Sequence, residues 1–431
     1  MLVFQDACVV AMDDGPARRP HHDVIVDGDR IVSIQPTGSQ LPDGADVLDA
    51  EGMFLIPGLI DTHAHVWHPA LEETIHSMSR EEINRGWLNL LLINGVTTVL
   101  NLHGTPDVVD AARRIQAGKL CGPTIHSAGP ILNDASMTYE QALAEVAEEA
   151  EIGYEYVKVY NDLPVEAYRG IVEAAPQHGL QVLGHIPEAV GFEGVLASGQ
   201  IAIVHGEELL YNAFDPYRAS RDAYDWTSAP PLRIEELPRV CAAIAEAGVT
   251  VMPNLCAFYA IWQQGEQNAA WLRSLPEFEL IPAELFESWS GDNDYARRYT
   301  DPAKRRGMFE GYWFQIRLVE SLHRAGVRLT TGTDFPVPGI VPGLLHFELA
   351  QLAGAGLGNE GALRAGTRAG GDRLEPGSGL GTIVPGARAD LALLAGDPLE
   401  DIRNTKTVRG VMTRGIWYDA DNLAARERKL R

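Results

Sequence analysis

Residues 59–66 read LIDTHAHV, and the reading of this short stretch decides the fold. Leu, Ile, Thr and Val favour a pleated strand. Alternate side chains of a strand share a face, so His63 and His65 point the same way. Two neutral imidazoles at that spacing can hold one metal ion at the mouth of a barrel. An HxH pair alone is a weak signal, so its meaning depends on what the rest of the chain brings to the same place.

Seven further stretches look like strands: GVTTVLNLH (95–103), TIHSAGP (124–130), YEYVKVY (154–160), LQVLGHI (180–186), QIAIVHG (200–206), VTVMPNL (249–255) and VRLTTGTD (327–334). Helical stretches intervene, such as MTYEQALAEVAEEAEI (137–152), PVEAYRGIVEAAPQHG (164–179) and IEELPRVCAAIAEAG (234–248). Each spaces apolar residues by three and four and stops near Gly. Alternating strands and helices imply a parallel sheet, and eight such units imply an α/β fold of the (β/α)8 TIM-like barrel type. The competing architecture is a doubly wound open sheet, but no GxGxxG follows the first strand.

Both ends of the chain read differently. VFQDACVVAM (3–12), HDVIVDGDRIVSIQP (22–36) and ADVLDAEGMFLIP (45–57) are strand-like and broken by Gly, Asp and Pro. ADLALLAGD (389–397) and VRGVMTRGIWYDA (408–420) repeat the style. The expected division is a composite β-sandwich from 1–56 and 380–431, and a barrel over 57–379. Residues 260–312 are long for a βα loop and rich in Trp and Tyr, so they are expected to form a lid.

The 431 residues carry a formal charge of −24, which repels phosphate backbones and argues against nucleic acid. No window reaches the ~18 uninterrupted apolar residues of a membrane span. MLVFQDACVVAMDDG lacks a basic leader region, so a cytoplasmic protein is expected. Cys8, Cys121, Cys241 and Cys256 are scattered without a CxxC pair, which suits a reducing compartment. The expected partner is a small-molecule substrate, with a homo-oligomer left open.

The strand ends supply the chemistry. Lys158 lies mid-strand between Val157 and Val159, where an ammonium is costly unless paired or neutralised. His185, His205 and Asp334 end three other strands. With His63 and His65 they converge on the C-terminal face, where barrel enzymes keep their active sites.

These motifs resemble the amidohydrolase superfamily, in particular its prolidase-like and imidazolonepropionase-like metal-dependent hydrolases. The resemblance lies in IPGLIDTHAHV (56–66), NGVTTV (94–99), VKVYNDLP (157–164), LGHIPEAV (183–190), IVHGEEL (203–209), GVTVMPNL (248–255), AGVRLTTGTDFP (325–336) and LGTIVPGARADLALLAGDPLEDIRNT (380–405). It implies two divalent metal ions, zinc by default. His63, His65 and Asp334 would hold the more buried ion, and His185 and His205 the more exposed one. Lys158 would bridge them as an N-carboxylated lysine, and Asp334 would serve as catalytic base and acid. Many relatives carry Arg-Asp after GVTTV, where this chain has Leu100 and Asn101. His103 and His126, read as ending the second and third strands, are candidate substitutes for that arginine. Tyr211, Asn254 and Tyr259 are further candidate substrate contacts. Glu348 is expected on a helix after the eighth strand.

Two reactions compete. The first is hydrolysis of an amide C–N bond in a dipeptide, an N-acyl amino acid or a related small amide, with hydrolysis of a cyclic amide or lactone as an alternative. The second is deamination of a nitrogen heterocycle, for which His185-Ile-Pro-Glu188 would supply a His-x-x-Glu pair. A deaminase would not need Lys158. A scaffold without catalysis would be expected to have lost ligands, and all six are present.

Overall fold

A computed structural model of the chain describes residues 1–67, 69–214, 233–267, 269–290 and 299–428. The described residues hold fifteen strands. The first five are β1 (Leu2–Val9), β2 (Arg19–Asp27), β3 (Arg30–Pro36), β4 (Asp46–Asp49) and β5 (Phe54–Pro57). The middle seven are β6 (Leu59–Ala64), β7 (Val96–Asn101), β8 (Thr124–Leu132), β9 (Tyr156–Val159), β10 (Gln181–Gly184), β11 (Ala202–Val204) and β12 (Thr250–Met252). The last three are β13 (Leu391–Leu394), β14 (Val408–Thr413) and β15 (Ile416–Asp419).

The middle strands pair in parallel and in chain order, from β6 to β12, as crossover helices require. Every residue of β6, β7 and β9 is buried, so the polar side chains among their Val, Ile and Leu residues are held inside the barrel. Inside the barrel, Ile60, Leu100, Ala128, Tyr156, Leu183 and Met252 belong to one core cluster. Leu100 therefore packs in the barrel interior, and Asn101 donates from Nδ2 to Ser127 Oγ at 3.0 Å.

The expected eighth strand, VRLTTGTD, does not form a continuous ladder. It closes the barrel through isolated parallel bridges, Val251 to Leu329 and Ala64 to Phe335. Its backbone still bonds both neighbours, with Thr330 N to Val251 O at 3.2 Å and Thr62 N to Thr331 O at 2.8 Å. At its end Asp334 has a left-handed backbone, φ 68°. Asp61 clamps this segment to β6. Its Oδ1 accepts from Thr333 N and His63 N, both at 3.1 Å, and its Oδ2 from Thr333 Oγ1 at 2.6 Å.

The strands near the two ends of the sequence join one mixed sheet, in the order β15-β14-β13-β5-β1-β2-β3, with β4 beside β1. The join is antiparallel pairing of β5 with β13, Leu391 opposite Pro57 and Leu394 opposite Phe54. Phe4, Val24, Ile31, Leu55, Ile383 and Met412 lie in its separate apolar core. Among the described residues, no helix is long and apolar enough to cross a membrane.

Candidate metal centre

Each predicted ligand sits where a barrel strand gives way to a loop. His63 lies in β6 and His65 just beyond it, and both are buried. Lys158 lies in β9 with 1% of its surface exposed. His185 follows β10, His205 follows β11, and Asp334 caps the closing segment. His205, Asn254 and Asp334 all have positive φ, at 68°, 51° and 68°, although none is glycine. Strained backbone of this kind gathers where side chains must be aimed inward.

Asp334 is the focus. His63 Nε2 lies 3.0 Å and His65 Nε2 2.7 Å from its Oδ1, and His205 Nε2 lies 3.9 Å from its Oδ2. The His63 ring is 4.8 Å from His205, which is 5.0 Å from His185. The four imidazoles therefore form one contiguous wall. His63 turns its other nitrogen, Nδ1, to Asn254 Oδ1 at 3.1 Å. His185 turns Nδ1 to Asn161 Oδ1 at 2.9 Å and Glu208 Oε1 at 3.2 Å. Outer partners of this kind fix the tautomer and orientation of a ligating imidazole.

The electrostatics suit a cation. Burial lowers His63 to about 4, so it is a neutral donor at pH 7. Burial likewise holds His205 well below the ordinary imidazole range. Burial pushes the Asp334 carboxyl up, but the imidazoles aimed at it outweigh this and keep it ionised. Burial lowers Lys158 to about 8, partly offset by the charges of Asp334 and Glu208. His63, His205 and Asp334 offer ligand atoms that all lie within 4.8 Å of one another. Two neutral nitrogens and an anionic oxygen in a buried cluster of that size fit a divalent metal ion.

The cluster floors a cavity of about 530 Å³ whose walls include Leu71, His103, Tyr160, Tyr211, Trp289 and Gln315. The sequence pattern of the Amidohydrolase family matches residues 54–417, which span the barrel and, of the terminal sheet, β5, β13, β14 and the start of β15. The chain belongs to the amidohydrolase family.

Among curated amidohydrolase relatives, the chain is 36% identical over 94 residues to a dihydroorotase of Carboxydothermus hydrogenoformans, covering 21% of each. It is 29% identical over 218 residues to a dihydroorotase of Geobacter sulfurreducens, covering 48% of this chain and 49% of that one. These matches span half or less of the relatives' length. Solved structures are similar over the whole chain. A putative prolidase from Bifidobacterium longum gives a TM-score of 0.72 at 21% identity, covering 100% of this chain and 98% of that one. A Xaa-Pro dipeptidase with bound methionine gives 0.71 at 19%, covering 97% and 99%. Bottromycin amidohydrolase gives 0.73 at 23%, covering 99% and 89%.

The candidate substrate contacts of this amidohydrolase divide. His103 and Tyr211 line the cavity. Asn254 also lines it, but its Oδ1 is committed to His63. Tyr259 is not on the wall; it packs among Trp262, Trp271, Tyr312 and Phe347. Glu348 does lie on a helix after the closing segment, Leu344–Leu352, and accepts from Cys256 N at 2.7 Å. Glu188 is exposed and absent from the cavity wall. Asn161 and Glu208, which hold His185, were not singled out from sequence, although both lie in the quoted motifs.

His126 is a correction. It stands near the start of β8, not the end, because the strand continues through Gly129-Pro130 to Leu132 over a register shift. Ile131, opposite Lys158, takes the place at the mouth. His126 lines a second cavity beside Arg30 and Arg414 of the terminal sheet region. Its Nδ1 lies 2.6 Å from Glu155 Oε2 and its Nε2 3.2 Å from Glu375 Oε1. Burial lowers its pKa, but the two carboxylates outweigh this and raise it to about 9. A raised imidazole pKa stabilises fully below the unfolded value of ~6.5, and the contribution is lost as pH rises through about 9. Glu155 is half exposed, which discounts the pair. His126→Gln is therefore expected to lower stability by about 1–2 kcal/mol at pH 6. The difference should shrink above pH 9. A pH-independent difference in denaturant midpoint would remove the ion-pair explanation.

Proposed function

We propose that this amidohydrolase cleaves the amide C–N bond of a small molecule with a water activated at a divalent metal centre. The observation that carries the reading is the convergence of three imidazole Nε2 atoms on one ionised carboxylate beside a buried lysine, on the floor of a cavity. His63, His65 and Asp334 would hold one ion, and His185 and His205 a second. Lys158 would bridge as a carbamate, its amine adding carbon dioxide and losing a proton. Zinc is the first choice for this mixed N/O set. Bound ions would lower the pKa of the attacking water and polarise the substrate carbonyl. Asp334 takes the proton of that water and hands it to the leaving nitrogen. Residues 57–379 carry this chemistry, and 1–56 with 380–431 brace it. The described parts of the segment 260–312 act as the lid, supported by the Ile261, Leu285, Trp289, Tyr299 and Met308 side chains they give to the wall; 268 and 291–298 lie outside the described residues.

Deamination is less well supported, because Glu188 lies outside the cavity while Asn161 and Glu208 hold His185. The test is metal content with turnover. Purified protein is expected to bind about two ions per chain. A chelator should abolish cleavage of amide substrates, and zinc should restore it. Undiminished cleavage by the stripped protein would overturn the reading. Release of ammonia from a heterocycle, with no amide cleaved, would favour the deaminase.

A further inference from the structure

The long helix Pro302–Arg324 explains most of itself. Its buried residues are Gly307, Met308, Gly311, Tyr312, Phe314, Leu318, Val319 and Leu322, an apolar stripe at three- and four-residue spacing, and Gln315. Gln315 is the one carboxamide in that stripe. Only 1% of its surface is exposed, and its Nε2 is buried with no hydrogen-bond acceptor among the described residues. A buried amide donor without an acceptor carries an unpaid desolvation cost, and such groups call for an explanation. Its location supplies one, because Gln315 lines the catalytic cavity two helical turns along the same face from Met308, which lines it too. It also sits against the backbone that follows a ligand. A Cβ on Gly206, next to His205, would come 3.0 Å from Gln315 Oε1. The carboxamide therefore has its oxygen close to the backbone that follows His205, while its N–H has no acceptor among the described residues.

We infer that Gln315 is a specificity-determining residue whose Nε2 donates a hydrogen bond to an uncharged carbonyl oxygen of the substrate, one remote from the bond that is cut. The site then takes an acyl compound with a second amide or carbonyl group along its chain. Plain alkanoyl amides, which offer no acceptor there, are poor substrates. This rests on the amide-hydrolase reading above, and it narrows the substrate class within it. A site built to hydrogen-bond a substrate group discriminates against the analogue lacking it, because the donor is then left buried and unmade.

The test compares acetylglycine 4-nitroanilide with pentanoyl 4-nitroanilide on the zinc-loaded protein. The two have acyl chains of similar length and the same scissile bond, and differ in the remote amide. Wild type is expected to favour the acetylglycine compound by about 10-fold or more in kcat/KM. Gln315→Leu should erase most of that preference by slowing the acetylglycine compound alone, while pentanoyl turnover holds or rises. Gln315→Glu offers acceptors instead of a donor and should be worse than Leu on the acetylglycine compound. Equal losses on both anilides, or no preference in wild type, would overturn the assignment. If neither anilide is cleaved, calorimetric binding of the two to zinc-loaded wild type and Gln315→Leu decides separately. A binding preference lost in the variant keeps the role of Gln315 and removes the hydrolase reading. Equal binding removes the role of Gln315.

Discussion

Asp334→Asn is expected to leave a folded protein that keeps much of its metal but turns over amides about 10²–10⁴-fold more slowly, the usual worth of a positioned general base. The geometry gives the reason. One oxygen of Asp334 faces His63 and His65, and the other is turned toward His205. An asparagine keeps one oxygen for that cluster but cannot take a proton. kcat should therefore fall more than metal content, and the two can be measured on the same preparation. Near wild-type turnover with metal bound would show that another group moves the proton. Asp61→Asn is the informative control. Asp61 lies two residues before His63 and receives three hydrogen bonds, two of them from Thr333. An amide nitrogen placed there would face donors, so this variant should lose about 1–3 kcal/mol of stability. Its chemical step should suffer less than that of Asp334→Asn.

Lys158→Met is expected to separate activity from stability in the opposite sense. The ammonium sits mid-strand with 1% exposure, where burial drives its pKa down to about 8. Methionine fills a similar volume without the desolvation cost, so the metal-free variant should unfold at equal or higher denaturant than metal-free wild type, by up to about 1–2 kcal/mol. Its activity should fall by at least the ~10–100-fold that follows the loss of even an outer partner of a metal ligand. A small carboxylic acid added to the medium should partly restore it by occupying the bridge. An active Lys158→Met enzyme would remove the bridging role and favour a one-metal site. A stable but inactive protein would mean that the lysine is kept at the expense of the fold, as residues of an active site often are.

The strand ends that carry His63, His185, His205 and Asp334 were readable because barrel strands are short, mostly apolar and buried on both faces. A polar residue at the end of one, such as His185 or His205, stands out against that background. What the sequence concealed was local geometry that departs from a repeating pattern. Gly129-Pro130 looks like a strand terminus, yet β8 runs on through it, which moved His126 to the far end of the barrel. TTGTD looks like a strand, yet its backbone turns left-handed at Asp334 and the ladder reduces to bridges. Tyr259 looks like a pocket residue beside Asn254, but a helix starts at Leu255 and turns its ring into an aromatic cluster. Gln315 was hidden differently. A glutamine on a long charged helix reads as solvent-facing until the packing of its apolar neighbours fixes which face is buried.

The pairing of β5 with β13 has a consequence for how the protein is made. Strands β1 to β5 leave the ribosome before the barrel does, and the edge that β5 offers to β13 has no partner until Leu391–Leu394 has been synthesised. At ~5–20 residues per second, that wait lasts on the order of tens of seconds. Throughout it the nascent chain carries an open, apolar sheet edge, the kind of surface that captures other chains. Folding at the ribosome therefore cannot proceed simply from the first residue to the last. The barrel must assemble while its brace is half built, and the last strands to appear lock the first ones in place.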